Sequence, residues 1–367
     1  MTAKTFMGYV RADGSVGTRN HVLVLPSVLC SSVVCERIAE AVENCIAVTH
    51  QHGCSQIGAD SAQTTRMLKG LGMNPNVAGV LVVSLGCEVV DGEAMAQVIA
   101  QSGKPAAFIR IQDVGGSVKA IEAGIKAANA ISQQVKALQR ESVGIEHLRL
   151  AVKWGDGLDG FSGAATDLVE LVRDICSAGG GVCMGELEKV MHSVEDTKIP
   201  ALEQLRQQMT KRQELLINVA EPAMQRVRAY APTLVAPAYP DVFDMPIASV
   251  RQYAEQISGG GLQFMDSPCS DVECISGYAA GGANVALFFS DGGSPVGNPV
   301  MPVVKVSTAN VDEIWRDHVD YTISSVDGQV DGASLFHHLL KVASGQLTAA
   351  ELLGHEEFAI HRIGISL

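Results

Sequence analysis

The chain has 367 residues, 47% of them hydrophobic and 18% charged, enough apolar material for a core and, at this length, for two domains. A formal net charge of -13 argues against a nucleic-acid partner, because phosphate binding needs clustered Lys and Arg, and only 5% of residues are aromatic, which leaves few base-stacking platforms. No apolar run approaches the roughly 20 residues that cross a bilayer, and no basic segment followed by an apolar one opens the chain, so a cytoplasmic protein without a membrane partner is expected.

The segment 8–20 is glycine-rich and polar, hence a loop or tight hairpin, and it runs into the continuous apolar strand His21-Val22-Leu23-Val24-Leu25-Pro26. A helix capped by Ser31 or Ser32 should reach about residue 44, followed by a strand over 45–48. The polar stretch Thr49-His50-Gln51-His52-Gly53-Cys54-Ser55 comes next, then a helix over 59–71. After the turn Asn74-Pro75-Asn76, a strand over 77–85 delivers Gly86-Cys87-Glu88. Helix 92–101, strand 106–111 and a long polar helix over 116–140 complete a first domain, 1–144.

A second domain, 145–367, repeats the plan. Strand 148–154 opens into the loop Gly155-Asp156-Gly157-Leu158-Asp159-Gly160-Phe161-Ser162-Gly163, with a helix to about 178. A strand from Gly181 ends on Glu186, and 200–230 reads as a charged helix. Strands ending near Met265, Ser290 and Ser307, and helices near 310–318 and 332–344, finish it. Alternation of this spacing predicts an α/β protein: two doubly wound, mostly parallel sheet domains with Rossmann-like βαβ layering. A nucleotide-dependent dehydrogenase is excluded, because no Gly-x-Gly-x-x-Gly follows the first strand.

In such a sheet the loops leaving the carboxyl ends of neighbouring strands converge on one crevice, where ligands bind. The loops at 49–55 and 85–88 should therefore meet as an active-site rim. His50, Cys54 and Cys87 are ligand types for Fe²⁺ or Zn²⁺, and Glu88 suits a harder ion. His50 and His52 should face the same side of an extended loop, one holding metal while the other, His52, moves protons. The nine cysteines are scattered and contain no C-x-x-C pair, so buried thiols, metal ligands or nucleophiles are expected rather than disulfides.

Gly155 to Gly163 is not a phosphate loop, lacking a closing Gly-Lys-Ser/Thr, but its N–H groups and the following helix could cradle a carboxylate, with Asp159 as base or ligand. Glu186 is either an acid/base or a satisfied strand-end carboxylate. Arg11, Arg19 and Lys153 are the candidate cations for an anionic substrate, arginine because it grips carboxylates in a two-pronged way. His337, His338 and His355 read as surface residues.

Taken together the motifs resemble the altronate/galactarate dehydratase family, which includes the large subunit of sulfolactate sulfo-lyase. The matching segments are Gly8-Tyr9-x-Arg11-x-Asp13-Gly14-x-x-Gly17-Thr18-Arg19-Asn20, Thr49-His50-x-His52-Gly53-Cys54, Asn74-Pro75-Asn76 with Leu85-Gly86-Cys87-Glu88, Asp159-Gly160-Phe161-Ser162-Gly163, Met265-Asp266-Ser267-Pro268 and Ala280-Gly281-Gly282-Ala283-Asn284. The resemblance implies a lyase that eliminates water, or sulfite, from a sugar acid or related 2-hydroxy acid to give a 2-keto acid. It also implies a divalent metal (Fe²⁺ first, Mn²⁺ or Mg²⁺ as alternatives), and it adds Asn20 and Ser162 to the substrate-binding candidates. A separate small gating subunit and a homo-oligomer are further expectations.

The chain departs from that pattern where the family usually carries a cysteine, at Gly155 and near Asn298, and in a glycine-rich segment expected around 230–245. These departures keep an alternative open: a non-catalytic regulatory or scaffold paralogue that binds a small carboxylate.

Overall fold

The computed structural model describes residues 4–155, 162–185, 245–268, 270–290, 293–308, 311, 313–323 and 332–363. The predicted helix at 200–230 lies outside these residues, as do Asp159 and Glu186.

Strands β1 (Thr5–Val10) and β2 (Val16–Gly17) form an antiparallel hairpin, closed where Arg11 N donates to Ser15 O at 2.8 Å. Its tip, Gly14, has φ +80°, a turn conformation that costs glycine little. Next comes β3 (His21–Pro26), followed by β4 (Cys45–Ala47), β5 (Val77–Ser84) and β6 (Ala106–Arg110). These four are parallel and lie in the order β4-β3-β5-β6. Strand β5 reads VAGVLVVS and is buried at every position, as a parallel strand covered on both faces must be. The covering helices are α1 (Ser32–Glu40) and α5 (Ser117–Val135) on one face, α2 (Gly58–Met73) and α3 (Gly92–Ala100) on the other, with a short α4 (Ile111–Val114) between strand and helix.

Beyond α5 the sequence reading and the structure differ. The predicted helix to 140 stops at Val135, and β7 (Glu141–Gly144) pairs antiparallel with β1. Arg140 explains the turn: its guanidinium donates to Met7 O and Thr18 O, drawing the chain alongside β1.

The second sheet holds β8 (Arg149–Trp154), β9 (Gly181–Met184), β10 (Ile247–Arg251), β11 (Gly261–Met265), β12 (Val285–Phe289), β13 (Val303–Thr308) and β14 (Tyr321–Ile323). All neighbours are parallel, in the order β10-β11-β9-β8-β12-β13-β14. Helices α6 (Ser162–Ser177), α7 (Asp271–Ala280), α8 (Gly332–Ala343) and α9 (Ala349–Leu353) accompany it. Helix α7 has no amphipathic signature because every residue from Cys274 to Ala280 is buried, so there is no polar stripe to read.

The two sheets share a core. Met67, Leu68 and Leu71 of α2 pack in one apolar cluster with Cys274, Ile275 and Tyr278 of α7, placing these helices in a layer between the sheets. Buried asparagines reinforce that layer. Asn74 Nδ2 donates to Ala279 O and Ala283 O at 2.7 and 2.8 Å. Asn76 Nδ2 donates to Asn284 O and Val300 O, both at 3.0 Å, while its Oδ1 accepts from Thr18 N at 2.7 Å. Among the described residues no helix is long and apolar enough to cross a membrane.

Candidate active site

The order β4-β3-β5-β6 reverses direction between β3 and β5, so the crevice lies beyond Pro26 and Ser84. The two predicted loops do meet there. Val89 N donates to Gly53 O at 3.0 Å, and Leu29 N donates to His52 O at 2.9 Å. Gly53 has φ +98°, and a Cβ there would lie 2.7 Å from Val28 Cα, so the close approach of the loop to the end of β3 depends on glycine.

Glu88 fills the floor of the crevice. Its carboxylate accepts from Ser27 Oγ at 2.7 Å, Gly86 N at 2.6 Å and Leu85 N at 3.2 Å, and Ser27 Oγ lies 2.9 Å from Ser84 Oγ. Burial pushes the carboxyl pKa up, but the hydrogen bonds from Gly86 N–H and the Ser27 and Ser84 hydroxyls outweigh it and hold it at about 2. Glu88 is therefore an anion in a nest of donors. Ser27 and Ser84 were missed in the sequence, although the strand-end rule alone places both at the crevice.

His50 is buried, with Nε2 donating to Pro26 O at 2.8 Å and Nδ1 accepting from His52 N at 3.2 Å. Both ring nitrogens are thus engaged by backbone. Burial lowers its pKa to about 4, slightly countered by the Pro26 bond and helped by His52, so the ring is neutral. His52 is half-buried, and its Nε2 donates to Ile360 O at 3.1 Å, which leaves Nδ1 as the basic nitrogen. Cys54 and Cys87 are both exposed thiols on the rim.

The partner of His52 belongs to a tail that sequence reading passed over. Residues 355–363 lie across both halves: Gln63 Nε2 donates to His361 O at 2.6 Å, Ala359 N to Ser276 Oγ at 3.1 Å, and Gly297 N to Glu357 Oε2 at 2.8 Å. His361 Nδ1 sits 3.0 Å from Glu273 Oε2, and His355 Nδ1 2.8 Å from Glu357 Oε1. His355, expected at the surface, is half-buried in this strap.

Of the remaining candidates, Arg11, Asn20, Arg19 and Lys153 have polar groups engaged within the fold. Arg11 donates to Pro75 O, Asn20 Oδ1 and Arg19 O, while burial lowers its pKa to about 10. Asn20 Nδ2 donates to Val135 O. Arg19 is committed to Glu351 and to the carbonyls of Thr18, Val342 and Gln346. Lys153 is 1% exposed, with Nζ 3.1 Å from Asp271 Oδ1, and belongs to the second sheet. Ser162 opens α6. Gly155 N donates to Phe289 O at 2.8 Å and a Cβ there would lie 2.5 Å from that oxygen, so the packing here is built around glycine.

Among the described residues no group of three or more His, Cys, Asp or Glu is placed to share an ion. With His50 engaged at both nitrogens and Glu88 held by its donors, the described donor set does not fit a divalent metal as it stands.

Comparison with known proteins decides the family. Residues 8–136 match the second domain of the D-galactarate dehydratase/altronate hydrolase family, and residues 241–366 match the C-terminal domain of D-galactarate/altronate dehydratase. The chain belongs to this family. It is a divergent member. It is 29% identical over 392 residues to the (2R)-sulfolactate sulfo-lyase subunit beta of Chromohalobacter salexigens, covering 99% of this chain and 98% of that one. It is 27% identical to altronate dehydratase of Bacillus subtilis (99% and 79% covered) and 27% identical to galactarate dehydratase (L-threo-forming) of Escherichia coli (93% and 73%). These relatives are dehydratases and a lyase, which supports an enzyme of the dehydratase type.

Proposed function

We propose that the chain is a lyase that eliminates water, or sulfite, from a sugar acid or related 2-hydroxy acid to give a 2-keto acid. The observation that carries this is the joining of the two loops at the β3/β5 switch point, Val89 N to Gly53 O, in a chain of this family. In support, the Val89 N to Gly53 O bond joins the loop that carries His52 and Cys54 to the loop that carries Cys87.

His52 is the base. Its Nδ1 takes the proton from the carbon next to the substrate carboxylate and the released electron pair forms the C=C bond; the β-hydroxyl, protonated by a second acid as its C–O bond breaks, leaves as water, or a β-sulfonate leaves with the C–S electron pair as sulfite. The enol then tautomerises to the keto acid. Asp159 and Glu186 are the proposed second acid/base groups, and Ser162 a proposed substrate contact. Because general-base catalysis alone contributes only about 10²–10⁴-fold, a further stabiliser of the developing charge is needed. Fe²⁺, or Mn²⁺ or Mg²⁺, is proposed to supply that stabilisation, although the described donors do not by themselves assemble its ligand set. A separate small subunit and self-association are proposed as well. The sulfolactate relative, a subunit beta, supports the first.

The test is an assay of metal-loaded protein for keto-acid product on aldarates, aldonates and sulfolactate, with metal content measured in parallel. Absence of product from every acid and metal sinks the lyase reading. A second reading, a non-catalytic paralogue that binds a small carboxylate, is favoured by the glycine-shaped packing at Gly155. Tight calorimetric binding with no turnover selects it.

A further inference from the structure

Beside the rim lies an open groove of about 690 Å³, lined by Gln56, Ile57, Ser61, Thr65, Arg66, Lys69 and Val89 among others. Its size is that of small-molecule sites. Both rim loops bound it, since Gln56 and Ile57 follow Cys54 and Val89 follows Glu88. One face of α2 forms its wall. Residues 58, 61, 62, 65, 66 and 69 recur at helical spacing, so the cations at 66 and 69 stand on the same face as the hydroxyls at 61 and 65.

Three side chains here keep donor hydrogens without a partner among the described residues. Gln56 is 3% exposed, its Oε1 accepts from Gly53 N at 3.2 Å, and that bond fixes the amide so that Nε2 is the other end. Nε2 is buried without a hydrogen-bond partner. A buried orphan donor needs an explanation, and a ligand oxygen supplies one. Arg66 is anchored by Nε donating to Tyr253 O at 2.8 Å, and its Nη groups have no hydrogen-bond partner among the described residues. The nearby Glu255 carboxylate is held by Gln252 N and by Arg251. Lys69 Nζ has no ion pair among the described residues. In a chain of net charge -13, a paired Arg and Lys at a cavity wall is a local exception that suits an anion.

We infer that this groove is the subsite for a second anionic group of the substrate, held by Arg66 and Lys69 with Gln56 Nε2 as neutral donor, so that the preferred acids are doubly charged 2-hydroxy acids. Arg66 meets the distal carboxylate in a two-pronged fashion, and Lys69 adds a point charge. Ile57 and Val89, both exposed, offer apolar contact to the carbon chain. This rests on the lyase reading for its reaction, though the groove binds whether or not turnover follows.

The experiment compares a 2-hydroxy dicarboxylate with the 2-hydroxy monocarboxylate of equal chain length, in the wild type and in Arg66→Gln, Lys69→Gln and Gln56→Leu. The wild type is expected to favour the dicarboxylate by about tenfold or more in kcat/KM, and each cation variant to reduce that ratio severalfold, mainly through KM. Arg66→Lys restores part of it. A wild type with no preference, or variants that keep the ratio, overturns the inference while leaving the lyase reading standing. If the wild type turns over neither acid, the lyase reading fails instead, and calorimetry with the dicarboxylate decides the groove. A Kd weakened about tenfold in Lys69→Gln supports the subsite, and an unchanged Kd overturns it.

Discussion

Arg19 grips Glu351 with two prongs of its guanidinium, Nε at 2.6 Å from Oε1 and Nη2 at 2.8 Å from Oε2, across a separation of 332 residues. Arg19 is nearly fully buried, and the same Glu351 oxygen accepts from Thr348 N in a capping box at the start of α9. The pair ties the N-terminal loop to the C-terminal helices. Replacing Arg19 by Met leaves a partly buried carboxylate unpaired and is expected to cost roughly 3–5 kcal/mol of stability, read as a lower urea midpoint.

The same pair gives a pH dependence. Burial raises the Glu351 pKa, but hydrogen bonding and attraction from Arg19 and the bond from Thr348 N–H outweigh it, so the net shift is downward. A carboxylate depressed on folding stabilises the native state above its ordinary range and loses that contribution as pH falls through the folded value. The melting-temperature gap between wild type and Glu351→Gln should therefore be full at pH 7 and shrink as pH drops below about 4.5. A gap that stays constant down to pH 3 contradicts the assignment.

Asn76 offers a second test of how the halves are held. Its amide satisfies Asn284 O and Val300 O while its oxygen serves Thr18 N, all three buried. Asn76→Leu orphans those groups, and at about 1–3 kcal/mol for each lost bond should destabilise more than the same change at exposed Asn129. Equal melting temperatures for the two variants would remove the staple from the account.

Much of this was legible beforehand. Strand β3 spans the residues its apolar run predicts, because an uninterrupted run between a polar loop and a serine has few other solutions. The meeting of the 49–55 and 85–88 loops followed from strand order alone, given the rule that switch points gather loops. The roles of individual residues were far less readable. Arg11, Arg19 and Asn20 sit in a glycine-rich motif as substrate cations and donors would, yet their partners are carbonyls and one acid hundreds of residues away, which no local pattern encodes. Helix α7 and the 355–363 strap were invisible for related reasons: one is buried all round, and the other is irregular chain fixed by tertiary hydrogen bonds. Arg66 and Lys69, by contrast, were accessible by counting along the predicted helix after the rim.

Gly53 separates strain from contact. Gly53→Ala meets a φ of +98° and the backbone at Val28, whereas Gly14→Ala meets a φ of +80° with nothing within 4 Å. Both changes carry about 1–3 kcal/mol of backbone strain. The Gly53 variant alone should also displace the rim, detected as altered thiol-reagent kinetics at exposed Cys54 and Cys87. Identical kinetics in the two variants would mean the rim does not depend on that close approach.

His52 carries the sharpest prediction. With Nε2 donating to Ile360 O, Nδ1 is the nitrogen that takes the proton, so the ring must be neutral at that site to act. His52→Gln keeps a donor for Ile360 O but has no basic nitrogen, so kcat should fall by about 10²–10⁴-fold with KM changed only severalfold. Glu273→Gln weakens the His361 contact that helps hold the strap, leaving the imidazole in place but less well oriented. It should lower kcat by a smaller factor than His52→Gln does. If His52→Gln retains wild-type kcat, the base is another residue, and Asp159 and Glu186 are the next to be substituted.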